Sequence, residues 1–287
     1  MTKDILAEIK ALMPTFSKGQ RRIANYIINS YDKAAFMTAN KLGLKVEVSE
    51  STVVRFATEL GYEGYPAMQR ALQEMVRNRL TALQRIEVSN NRMADQDIPT
   101  MVMHADAENI RLTLDGLNRE AFEQTVEAIV TARKVYIVGV RSASALSDFL
   151  GFYLNMAMEN VVVVHVNSFS ELFEQIIHIG EGDVLVGISF PRYSKRTVKG
   201  MRYAKDQGAT TIAITDSEAS PLAELADHTL MARSDMISFV DSLVAPLSLV
   251  NALIMAVSRR KDGDLVDTFN KLEKIWDEYE VYEKTTE

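Results

Sequence analysis

Two short segments gather the residue types that hold an anion. Gly139-Val140-Arg141-Ser142-Ala143-Ser144 follows an apolar run and precedes a helical pattern, and Ser189-Phe190-Pro191-Arg192-Tyr193-Ser194-Lys195-Arg196-Thr197 stands in the same context further on. At such a junction a small residue lets backbone N–H groups approach a ligand, hydroxyls add donors, and the helix N-terminus adds partial positive charge. Arginine contributes a planar donor fork suited to a compact or multiply charged anion. A phosphate group fits that chemistry. The competing reading is structural, with Ser142 or Ser194 capping a helix and the arginines solvated. Position favours the anion site, because both segments follow strand-like runs. A third junction, Thr215-Asp216-Ser217-Glu218, either touches the same ligand or only turns the chain.

A different chemistry is written into Thr38–Leu60, where two helical patterns flank a turn at Lys45–Val48. Ser49 is placed to cap the second helix, and Glu50 puts an acid at its positive end. At about 100° per residue, Val53, Phe56, Ala57 and Leu60 gather on one side, and Ser51, Thr52, Arg55, Thr58 and Glu59 on the other. One face packs and the other is free to read. Ser51 and Thr52 lie in the first turn, the part of a recognition helix that enters the DNA major groove, and Arg55 follows within reach of guanine or phosphate. Lys18 and Arg21, beside Arg22, open an earlier helix that can grip phosphate. With Lys45 at the turn and Ser49 at the cap, the candidate DNA contacts are Lys18, Arg21, Lys45, Ser49, Ser51, Thr52 and Arg55. An ordinary amphipathic helix with a solvated polar face is the alternative. Tyr62 and Tyr65 read as braces for the end of this helix.

Other chemistries are excluded or weak. There is no cysteine, which removes disulfides, thiolate catalysis and thiolate metal sites, and fits the reducing cytoplasm. His104, His165, His178 and His228 have no ligand spacing, so neither a metal nor another cofactor is expected. A nicotinamide fingerprint fails, because Val140 and Arg141 follow Gly139 and the second strand lacks its acidic end. For an enzyme, His165 and Glu218 are the available acid/base groups, unpaired in sequence. The opening MTKDILAEIK has no apolar core of a signal peptide, and the apolar stretch Leu243–Ser258 is too short and too interrupted to span a membrane. The net charge of −7 is uneven: residues 1–90 carry 13 Lys+Arg against 9 Asp+Glu, and the remainder 19 against 30.

These groups need elements to position them. Residues 1–75 read as five short helices, the first over Lys3–Leu12 and the second from a Ser17/Gln20 capping box to about Tyr31. From about Val76 to Met103 the chain turns polar, most of all at NNRMADQDIP. Beyond Lys134 come β-rich runs at 135–139, 161–166, 184–189, 211–215 and 228–232, separated by helical segments. That alternation predicts a five-stranded parallel sheet, flavodoxin-like, with helices on both faces. Ser168/Glu171 and Ser220-Pro221/Glu224 read as helix starts. Leu265, Phe269, Leu272, Ile275 and Tyr279 predict a final amphipathic helix, packed on the domain or on a second subunit.

The run Val48-Ser49-x-Ser51-Thr52-Val53-Val54-Arg55-Phe56, with Leu60-Gly61-Tyr62-x-Gly64-Tyr65, resembles the signature of RpiR/MurR-family regulators. In that family the helix-turn-helix precedes a sugar-isomerase-type (SIS) domain, and the α/β part falls where that domain belongs. The resemblance implies an all-α helix-turn-helix domain at 1–76, a linker at 77–106 and an α/β SIS domain at 107–287. It implies a cytoplasmic transcription regulator, not an enzyme, acting as a homodimer or homotetramer on operator DNA and binding a phosphorylated sugar or related anionic carbohydrate. A SIS enzyme with an accessory helical domain is the alternative. The SIS loops then make Ser142, Ser144, Ser189, Ser194 and Thr197 ligand contacts, with Gly139, Arg141 and Arg192 completing the set. Three departures stand out. Glu47 occupies a turn position often taken by glycine, where a left-handed backbone costs on the order of 1 kcal/mol. Arg141 stands where a second glycine is frequent, and Phe190–Tyr193 lengthens the second loop.

Overall fold

The computed structural model describes residues 5–79, 83, 85, 86, 97–165, 168–236 and 240–283. They fall into two compact units, Met1–Met101 with Met236–Asp241, and Val102–Asp235 with Ser242–Glu287. Most of the polar stretch at 90–99 lies outside the described residues.

The first unit is helical: α1 (Ile5–Leu12), α2 (Lys18–Asn29), α3 (Tyr31–Ala34), α4 (Ala39–Val46), α5 (Glu50–Glu59) and α6 (Tyr65–Arg79). Local signals set these boundaries. Pro14 diverts α1 into a 3-10 turn, and the Ser17/Gln20 capping box opens α2 with both reciprocal bonds made. The single helix expected to Tyr31 instead breaks at Ser30, which carries φ −145° and separates α2 from α3. Ile9, Ile23, Ile27, Leu42, Val53, Phe56, Met68 and Leu72 form its core, and all are fully or almost fully buried. Three side chains from the start of α6 and beyond fasten the end of α3: Tyr65 and Gln69 both donate to the Met37 carbonyl at 2.7 Å, and Gln73 donates to that of Ala35 at 3.0 Å. Burial pushes the Tyr65 phenol up to about 12, so it stays a donor at any physiological pH. Met236 joins this core, and Arg85 Nη1 donates to both carboxylate oxygens of Asp241 at 2.9 and 3.0 Å.

The second unit contains α7 (Ile98–Asp115, from Val102), α8 (Arg119–Thr131), β1 (Lys134–Gly139), α9 (Ser144–Ala157), β2 (Val161–Val163), α10 (Phe169–Ile176), β3 (Asp183–Ile188), α11 (Lys195–Asp206), β4 (Thr210–Thr215), β5 (His228–Met231), α12 (Val244–Arg260) and α13 (Asp262–Glu278). All strand pairs are parallel, in the order β2-β1-β3-β4-β5. Alternation sends Val135, Ile137, Val184, Val186, Ile212 and Ile214 to one face, against α8, α9 and α12. Tyr136, Val138, Leu185 and Ala213 face the other way, against α10 and α11. The apolar segment around Leu243–Ser258 is α12, with Leu249, Val250, Leu253 and Val257 buried. No helix among the described residues is long and apolar enough to cross a membrane.

Two expectations differ. The second strand ends at Val163, with Val164 N–H bonded to the Ile137 carbonyl just beyond it; Val166 lies outside the described residues. Ser220-Pro221 opens no helix: 221–225 is a run of turns, and the Ser220 hydroxyl is held by Thr215 Oγ1 at 2.8 Å while accepting from Leu222 N–H.

Candidate functional site

The reading element is α4, a three-residue turn and α5. Thr38 caps α4 by accepting from Lys41 N–H, and Ser49 caps α5 by accepting from Thr52 N–H at 3.3 Å. Glu47 between them is left-handed, φ 56° and ψ 51°. Arg22 from α2 donates to its carbonyl at 3.2 Å and pairs with its carboxylate at 3.3 Å, holding a backbone that glycine would adopt without cost. The glycine this turn does require is Gly43: a Cβ there would stand 2.8 Å from the Val48 carbonyl oxygen. Sequence reasoning passed over that residue, although a lone glycine inside a helical run was the signal.

Val53, Phe56, Ala57 and Leu60 are buried as the helical wheel requires, and Ser51, Arg55, Thr58 and Glu59 are exposed, with Thr52 half-buried. Arg55 leans back along the helix, its Nε 3.4 Å from the Ser51 carbonyl. The Ser49 hydroxyl also bonds the hydroxyls of Ser51 and Thr52, so these three form one polar cluster at the head of α5. Lys18 and Arg21 are exposed on the first turn of α2, with Arg21 donating to the Pro14 carbonyl. Lys45 lines a shallow cleft of about 400 Å³ with Arg22, Asn25, Tyr26 and Asn29. Gln20 reaches Glu59, a link between α2 and α5 that no sequence pattern announced. Tyr65 is a brace, but its hydroxyl holds the Met37 carbonyl ahead of α4 and not the end of α5.

In the second unit the connections leave β1 toward β2 on one side and β3 toward β4 on the other. The switch point therefore lies between β1 and β3, whose last residues Gly139 and Ile188 are register partners. Both candidate segments, 139–144 and 189–197, start there. The first continues as a 3-10 turn, Arg141–Ala143, and then α9. Gly139 is buried, and a Cβ on it would stand 2.4 Å from the Ala143 carbonyl oxygen. Its smallness therefore serves the chain's own tight turn. Arg141 is left-handed, φ 63°, and exposed; its guanidinium bonds no other described residue. Ser142 is exposed and caps nothing, while the Ser144 hydroxyl donates to the Arg141 carbonyl at 2.7 Å. No side chain caps α9.

The second segment mirrors the first. Phe190 and Pro191 are buried, so the lengthened loop is anchored in the core, and Arg192 is left-handed, φ 64°, and exposed. Ser189 is buried, its hydroxyl accepting from Ser194 N–H at 3.0 Å and its carbonyl accepting from Thr215 Oγ1 at 2.9 Å. Ser194 caps α11 through Arg196 and Thr197 N–H. Tyr193 Oη donates to Asp216 at 2.8 Å, tying this loop to the third junction. Thr197 is fully buried, and its hydroxyl has no partner among the described residues. Of the eight candidate contacts, Arg141, Ser142 and Arg192 thus face solvent, Ser144 and Ser194 are half-buried, and Gly139, Ser189 and Thr197 lie inside. The acid/base candidates stand apart: His165 Nδ1 is 3.7 Å from Asp148 Oδ1, both exposed, and Glu218 is exposed in its loop.

Comparison with known proteins matches this geometry. Residues 3–79 match the helix-turn-helix domain of the rpiR family, and residues 128–256 match the SIS domain. The HTH-type transcriptional regulator HexR of Escherichia coli is 24% identical over 282 residues, covering 94% of this chain and 93% of its own length. An HTH-type transcriptional regulator of Caldanaerobacter subterraneus is 24% identical over 273 residues, 92% and 93% of the two chains. The sugar isomerase domain of an RpiR transcription factor from Sphaerobacter thermophilus superposes with a TM-score of 0.60 at 31% identity, over 62% of this chain and 99% of that one. NanR of Vibrio vulnificus, solved in complex with ManNAc-6P, shares the fold with a TM-score of 0.58 at 19% identity, over 95% and 98%. With its helix-turn-helix, its five-stranded SIS sheet and these relatives, the chain belongs to the rpiR family of transcriptional regulators.

Proposed function

We propose that this regulator binds operator DNA through α5 and its flanking cations, as a homodimer or dimer of dimers, and that a phosphorylated sugar or related anionic carbohydrate at the β1/β3 switch point tunes that binding. The observation that carries the ligand class is the pair of arginines, 141 and 192, each held in a left-handed backbone at the ends of adjacent strands. Such strain persists at positions whose side chain is needed. An uncapped α9 and the exposed Ser142 add donors beside Arg141. The ManNAc-6P complex of NanR, which shares this fold, agrees with a sugar-phosphate effector. The role is sensing and not catalysis, since His165 and Glu218 form no acid/base pair, and incubation with ketose and aldose phosphates should give no turnover.

A ligand that binds only the folded state must raise apparent stability, by about 2.7 kcal/mol at a hundredfold excess over Kd. A melting panel of sugar phosphates and acidic sugars on the full chain should therefore find compounds that raise Tm, and those compounds should change operator affinity. If none shifts the melt, the ligand class is wrong; if binders leave operator affinity unchanged, the coupling is wrong.

A further inference from the structure

The first turn of α2 crosses α5, and packing fixes where it crosses. Thr52, Phe56 and Glu59 follow one another at steps of four and three, so they share one side of α5. Phe16, just ahead of α2, sets its ring 5.1 Å from that of Phe56, and both are buried. A Cβ on Gly19 would stand 3.6 Å from the Thr52 methyl. Gln20 is thereby placed beside Glu59, and its amide makes two bonds. Oε1 accepts from Ser17 N–H at 2.9 Å, closing the capping box, and Nε2 donates to the Glu59 carboxylate.

That carboxylate stands four residues beyond Arg55, the spacing at which opposite charges pair across one helical turn. Both side chains are exposed, yet among the described residues no ion pair joins them, and Arg55 turns back to the Ser51 carbonyl. We infer that Gln20 is a positioning residue for DNA reading: by holding Glu59 against α2 it keeps the carboxylate off Arg55 and leaves that guanidinium for the operator. The inference rests on the reading of α5 as the DNA-contacting helix. An arginine already paired along its own helix must break that pair before it meets guanine or phosphate, which weakens binding about twofold. Nothing within α5 supplies the restraint, because the donor comes from α2.

The full chain and a duplex that the wild type selects from a randomised pool carry the test, read by fluorescence anisotropy at fixed salt. Gln20→Ala frees Glu59 and should weaken binding about twofold. Gln20→Ala/Glu59→Ala removes the competing acid as well and should bind at least as tightly as wild type, whereas a brace needed only for packing would leave this double variant as weak as Gln20→Ala. Gln20→Glu keeps an acceptor for Ser17 N–H, so the capping box and the helical circular dichroism persist. It also sets two carboxylates side by side and should weaken binding. Gln20→Glu/Glu59→Gln has the wild-type net charge with donor and acceptor reversed, and should restore wild-type affinity. Wild-type affinity in either single variant, or failure of either second substitution to rescue, overturns the inference and leaves the DNA reading standing. A wild type that selects no duplex, or Arg55→Ala binding the selected duplex as the wild type does, overturns the DNA reading and this inference with it.

Discussion

Backbone conformation at single residues carries most of what distinguishes this protein. Glu47, Arg141 and Arg192 all adopt left-handed geometry without being glycine. At Glu47 the neighbouring Arg22 supplies a compensation, although an ion pair this exposed is worth at most about 1 kcal/mol. At Arg141 the Ser144 hydroxyl bonds the carbonyl at 2.7 Å, but no described group pairs with the guanidinium. Arg141→Gly should therefore stabilise the unliganded protein by up to about 1 kcal/mol, seen as a higher Tm. The same variant should weaken binding of an anionic sugar about tenfold or more, because a charge-assisted hydrogen bond is lost. A variant that melts higher and binds equally well would remove Arg141 from the site. Gly43→Ala tests the opposite case. Its Cβ meets backbone, which cannot swing away, so the helical domain should lose about 1–3 kcal/mol in denaturant unfolding. Arg55→Ala should cost about 1–3 kcal/mol of operator affinity in a titration if the guanidinium reads guanine, or lower the salt slope by about one if it meets phosphate.

Among the elements, β3 is fixed at its start by Asp183, a buried carboxylate. Burial pushes its pKa up, but bonds from Arg133 and Gly180 N–H, with the charges of Arg133 and Lys134, outweigh burial and hold it below the usual aspartate range. A carboxyl depressed by folding stabilises fully above its unfolded pKa and loses that contribution as pH falls through the folded value. Asp183→Ala should therefore destabilise by about 2 kcal/mol at pH 7, and the difference from wild type should shrink below about pH 4. Unfolding midpoints measured from pH 7 down to 3 check both. Strand texture and capping boxes made the elements legible: Ser17/Gln20 and Ser168/Glu171 both close reciprocally. The helix start read at Ser220-Pro221 with Glu224 did not form: the Ser220 hydroxyl is engaged by Thr215 Oγ1 and accepts from Leu222 N–H within a run of turns.

At the scale of the whole molecule, the fold and the family were readable from sequence because they rest on local and periodic signals. Apolar alternation specifies which strand residues face which helices, and the spacing around Ser49–Leu60 specifies a packing face and an exposed polar face. Tertiary structure decided what those signals leave open. That Ser189 and Ser194 serve the loop's own scaffold while Arg141 and Ser142 face outward depends on backbone torsions and neighbours that no spacing records. That Asp106 and Thr113 of α7 turn inward depends on Ser242 and Arg233, more than a hundred residues away in the chain. Met236–Asp241 leaves its sequence neighbours to complete the helical unit, because the Met236 side chain and the Asp241 carboxylate find their partners there. Periodicity fixes which side of an element is apolar, whereas which partner meets that side is set by contacts between residues far apart along the chain.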